Sequence, residues 1–405
     1  MPPPNGVVSI SVIFAENSAM KDLSIYFSPV QVNNEYKQQQ LGKHIIVHRE
    51  DSFPDLEAGG VAIVHIPEYR GSEGASEYRN GGALFRSRFY ALNAGIDWKL
   101  PLYDLGDIQP GKELADSFFA LSKVCELLVK HNVIPLVIGG SQDLTLAMYK
   151  GYAQLEQMVN LCCIDHMLDL GSPENEPNAN GFLSHMLLDR PCYLFNHSTI
   201  GVQAPYVGRD EYDLFEKLYF DACHLGEYNA DYRKAEPLIR NADILSVDLH
   251  AIKANEINDA SYVQPNGFLA NQVCQLTKYA GLSDKLSSLG IFNYLPADED
   301  SRLPSLVAEM AWYFIDGVVK RKGDFPIGSK KDYLRFTVML EALKDEIVFY
   351  KSNKSERWWM EVPYPPQKHS KYERHHLIPC DASDYERAIK NEMPDLWWKT
   401  YQKLG

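Results

Sequence analysis

The sequence predicts an α/β fold: three layers, α/β/α, around a mostly parallel central sheet. Short continuous apolar runs recur at 60–66, 133–138, 161–164, 199–202, 244–247 and 286–292. Longer segments of helical period lie among them, at 114–130, 143–157, 210–217 and 268–280. Runs that are apolar throughout, instead of at alternate positions, belong to strands buried on both faces. Parallel strands joined by covering helices bury them that way.

Taken in order, residues 1–59 read as a leader. It holds an expected strand at 7–14 and a polar Gln38-Gln39-Gln40 segment of helical character. The α/β domain runs from 60 to 322 and closes on a long helix expected at 303–318, which covers the sheet. Residues 323–405 form a C-terminal extension in which 335–350 reads equally as paired strands or as a helix. Trp358-Trp359, Tyr364 with its two following prolines, and Trp397-Trp398 make this extension too aromatic for a solvated segment, so it is expected to pack on the domain.

Composition narrows the function. The chain has 405 residues, 45% of them hydrophobic and 23% charged, enough for a substantial core. A formal charge of −14 argues against phosphate-backbone binding and against docking on anionic membranes. No apolar run approaches the roughly 18 residues of a membrane span. Met1-Pro2-Pro3-Pro4 lacks the basic and apolar regions of a secretory signal. The seven cysteines are odd in number and never spaced Cys-x-x-Cys, and Cys162-Cys163 lies inside an apolar run. Buried thiols in a reducing cytoplasm are the expectation.

Ligands of open parallel sheets bind beyond the carboxyl ends of the strands, so the residues that close each apolar run matter most. Three ends concentrate polar groups: Gly139-Gly140-Ser141-Gln142-Asp143, Asp165-His166-Met167-Leu168-Asp169, and Ser246-Val247-Asp248-Leu249-His250. Carboxylates converging on one rim repel each other unless a cation compensates them, which points to a divalent metal with oxygen ligands. Helix capping is the plainer role for any single aspartate. Ser141 lacks the second glycine of a Gly-x-Ser-x-Gly elbow, and Gly139-Gly140 lacks the third glycine of a dinucleotide fingerprint.

Over roughly residues 60–320 these motifs resemble the arginase or ureohydrolase superfamily, in particular its formimidoylglutamase-like branch. That family carries Gly-Gly-Asp-His, Asp-Ala-His-x-Asp and Ser-x-Asp-x-Asp in this order. Pro67-Glu68-Tyr69-Arg70-Gly71, Asn80-Gly81-Gly82-Ala83 with Arg86, and Pro265-Asn266-Gly267 also match. The resemblance implies two manganese ions and a bridging hydroxide that hydrolyses a C–N bond of a linear amidine. It places the first ion's ligands on Gln142, Asp165, Asp169 and Asp248. The second ion's fall on Met167, Asp165, Asp248 and His250, and a thioether suits a hard ion poorly.

His166 neighbours the lost histidine position, but strand alternation is expected to turn its side chain away. Asn293 stands where a substrate-orienting glutamate is implied, and His185 near a proton-shuttling histidine. Arg86 and Arg88 are candidates to meet a substrate carboxylate. The expected function is thus a family member with a degraded binuclear site, non-catalytic or holding at most one Mn²⁺, Mg²⁺ or Ca²⁺. The alternative is a metal-dependent amidine hydrolase with two Mn²⁺. The implied ligand is a small amidine or amino-acid-like molecule, with neither nucleic acid nor membrane as partner. Homo-oligomers are usual in the family.

Overall fold

A computed structural model of the chain describes residues 22–31, 35–72, 81–259, 261–326, 329–341, 345–365 and 372–405. The strand expected at 7–14 and Asn80 lie outside these. Ten strands form one sheet: β1 (Phe27–Ser28), β2 (Ile46–Val47), β3 (Val61–Ile66), β4 (Leu102–Ile108), β5 (Ile134–Gly139), β6 (Val159–Ile164), β7 (Leu194–Val202), β8 (Asp221–His224), β9 (Ile244–Asp248) and β10 (Ser288–Phe292). Their order is β1-β4-β3-β5-β10-β9-β6-β7-β8, with β2 also on β4. Every pairing is parallel except β1 with β4.

Strands β3, β5, β6, β9 and β10 are buried at every position, as their apolar runs require. Alternate residues feed two cores. Val61 and Ile63 join one with Leu136, Ile138 and Val247, while Ala62, Val64 and Ile66 join the other with Val137. The first core is covered by α1 (Gly81–Ala91), α4 (Ala270–Leu282) and α5 (Leu303–Val319), the second by α2 (Leu114–Lys130) and α3 (Leu144–Gln154). Burial on both faces outweighs the few polar residues in these runs, because each methylene buried contributes about 0.8 kcal/mol. No helix among the described residues is long and apolar enough to cross a membrane.

Two local readings differ from expectation, and a third, left open, is resolved. Gln38–Gln40 is a turn and bridge, not a helix, because Gln40 donates its amide to Ala91 O and accepts from Lys37 N. β4 went unread because Asp104 and Asp107 interrupt its apolar run. Asp104 is tolerated in the core by a bidentate Arg86 guanidinium at 2.8 and 3.0 Å and by the Tyr90 hydroxyl at 2.8 Å. The ambiguous segment 335–350 resolves into strands: β11 (Tyr333–Leu340), β12 (Asp345–Ser352), β13 (Trp358–Glu361) and β14 (Leu377–Cys380) make a separate antiparallel sheet.

That second sheet, with α6 (Ala382–Ile389) and α7 (Asp395–Leu404), has its own core around Phe349, Met360 and Trp397. It is tied to the main sheet by buried cations. Arg240 donates to Trp358 O at 3.1 Å and Cys380 O at 2.9 Å and lies 4.5 Å from the Trp359 ring centroid. Cys162 and Cys163 are buried free thiols.

Candidate metal centre

The carboxyl ends of β5, β10, β9 and β6 are neighbours in the sheet, and the segments that follow them build one site. Backbone bonds lock these segments together. Ser141 N donates to Glu68 O at 2.8 Å, Asn293 N to Gly140 O at 2.6 Å, and Tyr294 N to Gly139 O at 3.2 Å. Gly140 is required by proximity, since a Cβ there would stand 1.7 Å from Glu68 O. Ser141 is fully buried, with its hydroxyl 3.3 Å from the same carbonyl, so it presents no nucleophile.

Asp165, Asp169 and Asp248 are all buried here. Asp165 Oδ2 accepts the Gln142 amide at 2.6 Å and Oδ1 accepts Met167 N at 2.9 Å. Asp248 Oδ1 accepts the Asn293 amide at 2.7 Å and His250 N at 2.9 Å. Asp169 and Asn293 both have left-handed backbones, φ 52° and 55°, a region that Asp and Asn enter more readily than most residues. Asn293 also accepts from the Ser72 hydroxyl at 3.0 Å and is held through its carbonyl by Tyr262. Each strand-end amide is thereby aimed at a different carboxylate.

His166 corrects the expectation from strand alternation. β6 ends at Ile164, so alternation no longer governs the next residues. The ring turns inward, with Nδ1 3.2 Å from Asp165 Oδ1 and 3.8 Å from Asp248 Oδ2. Its signal was present, a histidine directly after the last strand residue and its aspartate, but the extended geometry was carried one residue too far. His250 lies on the outer side, Nδ1 3.4 Å from Asp248 Oδ1, tilted against the Tyr262 ring.

The electrostatics follow from crowding. Burial drives the Asp169 carboxyl far above its ordinary pKa, and the charges of Asp165 and Asp248 push it further. Burial also opposes ionisation of Asp248, but His250, His166 and the Asn293 amide overcome it and lower that pKa. Both imidazoles are raised: burial works against their protonation, and the adjacent carboxylates outweigh it.

The other candidates sit elsewhere. His185 is in the short helix Phe182–Leu188. Among the described residues, no hydrogen bond or ion pair joins it to these carboxylates, and its Nε2 is buried without a partner. Arg86 is committed to Asp104 and Asp107, and Arg88 donates to Glu299 O, so neither is a free guanidinium. Among the described residues, Asp165, His166 and Asp248 offer ligand atoms that all lie within 4.8 Å of one another.

The sequence pattern of the Arginase family matches residues 60–315. A formimidoylglutamase from Geobacillus sp. (strain WCH70) is 26% identical over 227 residues, covering 52% of this chain and 68% of that protein. Trypanosoma cruzi formiminoglutamase, crystallised with Mn²⁺, superposes with a TM-score of 0.62 at 18% identity, covering 70% of this chain and 99% of its own. Formimidoylglutamase from Bacillus subtilis gives 0.62 at 15% identity, over 75% and 99%. These structural likenesses establish a shared fold.

Proposed function

The chain belongs to the arginase family, and within it we propose a non-hydrolytic member whose strand-end site holds at most one divalent cation. One observation carries this reading: the carboxamides of Gln142 and Asn293 donate to Asp165 and Asp248. Donor groups already occupy carboxylate lone pairs that a binuclear centre would need for its ions.

The remaining donors fit one ion and not two. Asp165, His166 and Asp248 offer ligand atoms within 4.8 Å of one another, a grouping that suits one divalent cation. A second ion would rely on the Met167 thioether and on His250 in place of a carboxylate. Asn293 has no charge with which to pair an amidinium. A bound cation would polarise a water or a ligand oxygen. The chain's own amides and imidazoles would hold the surrounding carboxylates in position. The division into a leader (1–59), an α/β domain (60–322) and a C-terminal extension (323–405) belongs to this proposal. So does a small amidine or amino-acid-like ligand.

The test is direct. Purified chain incubated with Mn²⁺ is expected to retain no more than one equivalent. It should release no ammonia, urea or formamide from formimidoylglutamate, arginine or agmatine. Two equivalents together with turnover would sink the reading. A metal-dependent hydrolase of linear amidines is the second reading, favoured by the Geobacillus formimidoylglutamase relationship and the retention of Asp165, Asp169 and Asp248.

A further inference from the structure

Resting on the single-cation reading above, we propose that His166 supplies the imidazole ligand of the site and that Gln142 has become a positioning residue for Asp165. His166 lies one residue before Met167, where the resemblance places a family histidine.

The local chain explains how. Asp165 N still pairs with Ile200 O at 3.0 Å, continuing the sheet, but its side chain accepts Met167 N at 2.9 Å. This turn, closed by an aspartate side chain on the amide two residues ahead, breaks the alternation and brings Asp165 and His166 to the same side. Once there, the ring is held. His166 O accepts Gln203 N at 3.0 Å, and Tyr206 meets the ring edge-on at a centroid distance of 5.1 Å. Gln203 is fixed in turn by Asn266, whose amide donates to it at 3.0 Å.

The ring nitrogen is the second, independent sign of a ligand. His166 is 6% exposed, and its Nδ1 is buried without a hydrogen-bond partner. It stands between two carboxylates yet off the line that a hydrogen bond requires. A buried polar nitrogen left this way destabilises the fold. A cation bound jointly by Nδ1 and the two carboxylates satisfies it. Asp248 is prepared for that role: its Oδ1 takes the Asn293 and His250 amides, while Oδ2 is the oxygen facing His166. Gln142 meanwhile spends its amide hydrogens on Asp165 Oδ2, orienting the carboxylate without reaching a metal itself.

One imidazole and two carboxylates select a borderline ion. Zinc binds such N/O sets more tightly than manganese, and magnesium or calcium prefers oxygen alone. The assigned ligand is therefore a single borderline divalent ion, for which Zn²⁺ is the probe.

The test uses the full-length chain stripped of metal and titrated with Zn²⁺ against a chromophoric chelator. Wild-type protein is expected to take one equivalent and to gain thermal stability with it. His166→Ala and the better-tolerated His166→Asn should each weaken binding by more than 100-fold and lose the Zn²⁺-dependent thermal shift. Gln142→Ala should weaken it by about 10–100-fold, the range of an outer-shell loss. Melting in chelator separates misfolding from lost binding. Unchanged affinity in both His166 variants overturns the assignment, as does wild type that binds no Zn²⁺, and neither result touches the non-hydrolytic reading. Two equivalents, one lost on His166→Ala, would support His166 as a ligand while sinking the single-cation reading.

Discussion

At the amino-terminal rim of the main sheet, buried aspartates meet lysine and arginine; at the carboxyl-terminal rim, buried aspartates meet amides, imidazoles and one another. Asp243, just before β9, is fully buried and accepts Arg374 at 2.9 Å and Asn160 N at 2.9 Å, with Lys285 Nζ 3.9 Å away. Asp221, at the start of β8, takes Lys399 at 2.7 Å. Across the sheet, Asp165, Asp169 and Asp248 share one cluster, and neither oxygen of Asp143 has a hydrogen-bond partner. Residue type and depth are the same, so pairing separates the two rims. The paired rim fastens the C-terminal sheet, whereas the other rim gathers carboxylates that have no lysine or arginine beside them among the described residues.

The largest expected effect breaks the paired rim. Asp243→Ala leaves Lys285 buried without its carboxylate and frees the Arg374 contact, a loss of about 3–5 kcal/mol by the cost of orphaning one member of a buried pair. Urea denaturation of the full chain measures it. A loss below about 1 kcal/mol would mean that the amino-terminal rim is not held by its charges.

How much of this contrast the sequence disclosed depends on range. The carboxyl-terminal rim was readable, because Gln142, Asp165, Asp169, Asp248 and His250 follow apolar runs directly and parallel sheets place such ends together. The paired rim was not, because Asp243 and Asp221 open strands, and their partners Arg374 and Lys399 come from a segment that carried no motif. β4 was hidden by Asp104, whose burial makes sense only once Arg86 from a different element is beside it. His166 was misjudged for the opposite reason: a local rule was applied past the end of the strand it describes. Long-range neutralisation and the point where a strand stops are both tertiary facts.

The next effect has the opposite sign. Burial pushes the Asp143 carboxyl up to about 7, and the charge of Glu68 adds to it. A Cβ on Gly71 would lie 2.1 Å from Asp143 Oδ2, so the loop before the site has closed over this group. An acid whose folded pKa lies above its unfolded value of about 4 costs stability as pH rises between the two. Asp143→Asn should then stabilise the chain by about 1–3 kcal/mol at pH 7.5 and scarcely at all at pH 4. Chemical denaturation at the two pH values reads the difference directly. An equal gain at both would show that shape, not ionisation, is what the carboxyl costs.

The smallest effect asks whether pairing at the amino-terminal rim matters by itself or only when buried. Lys399 bonds Asp221 at 2.7 Å and Phe220 O at 3.1 Å, yet its side chain is 33% exposed, whereas that of Lys285 near Asp243 is 1% exposed. Water competes for the first ammonium and hardly for the second. Lys399→Ala is therefore expected to cost about 1 kcal/mol, the upper range for a solvent-screened pair, and raised salt should diminish the cost. Lys285→Ala should show little salt dependence, because Lys285 lies beyond the reach of counterions, unlike Arg374, the other partner of Asp243, whose side chain is 38% exposed. Denaturation of both variants at low and high ionic strength makes the comparison. If the two losses screen alike, depth is not what distinguishes them. The contrast between the rims would then rest on the number of partners each aspartate has.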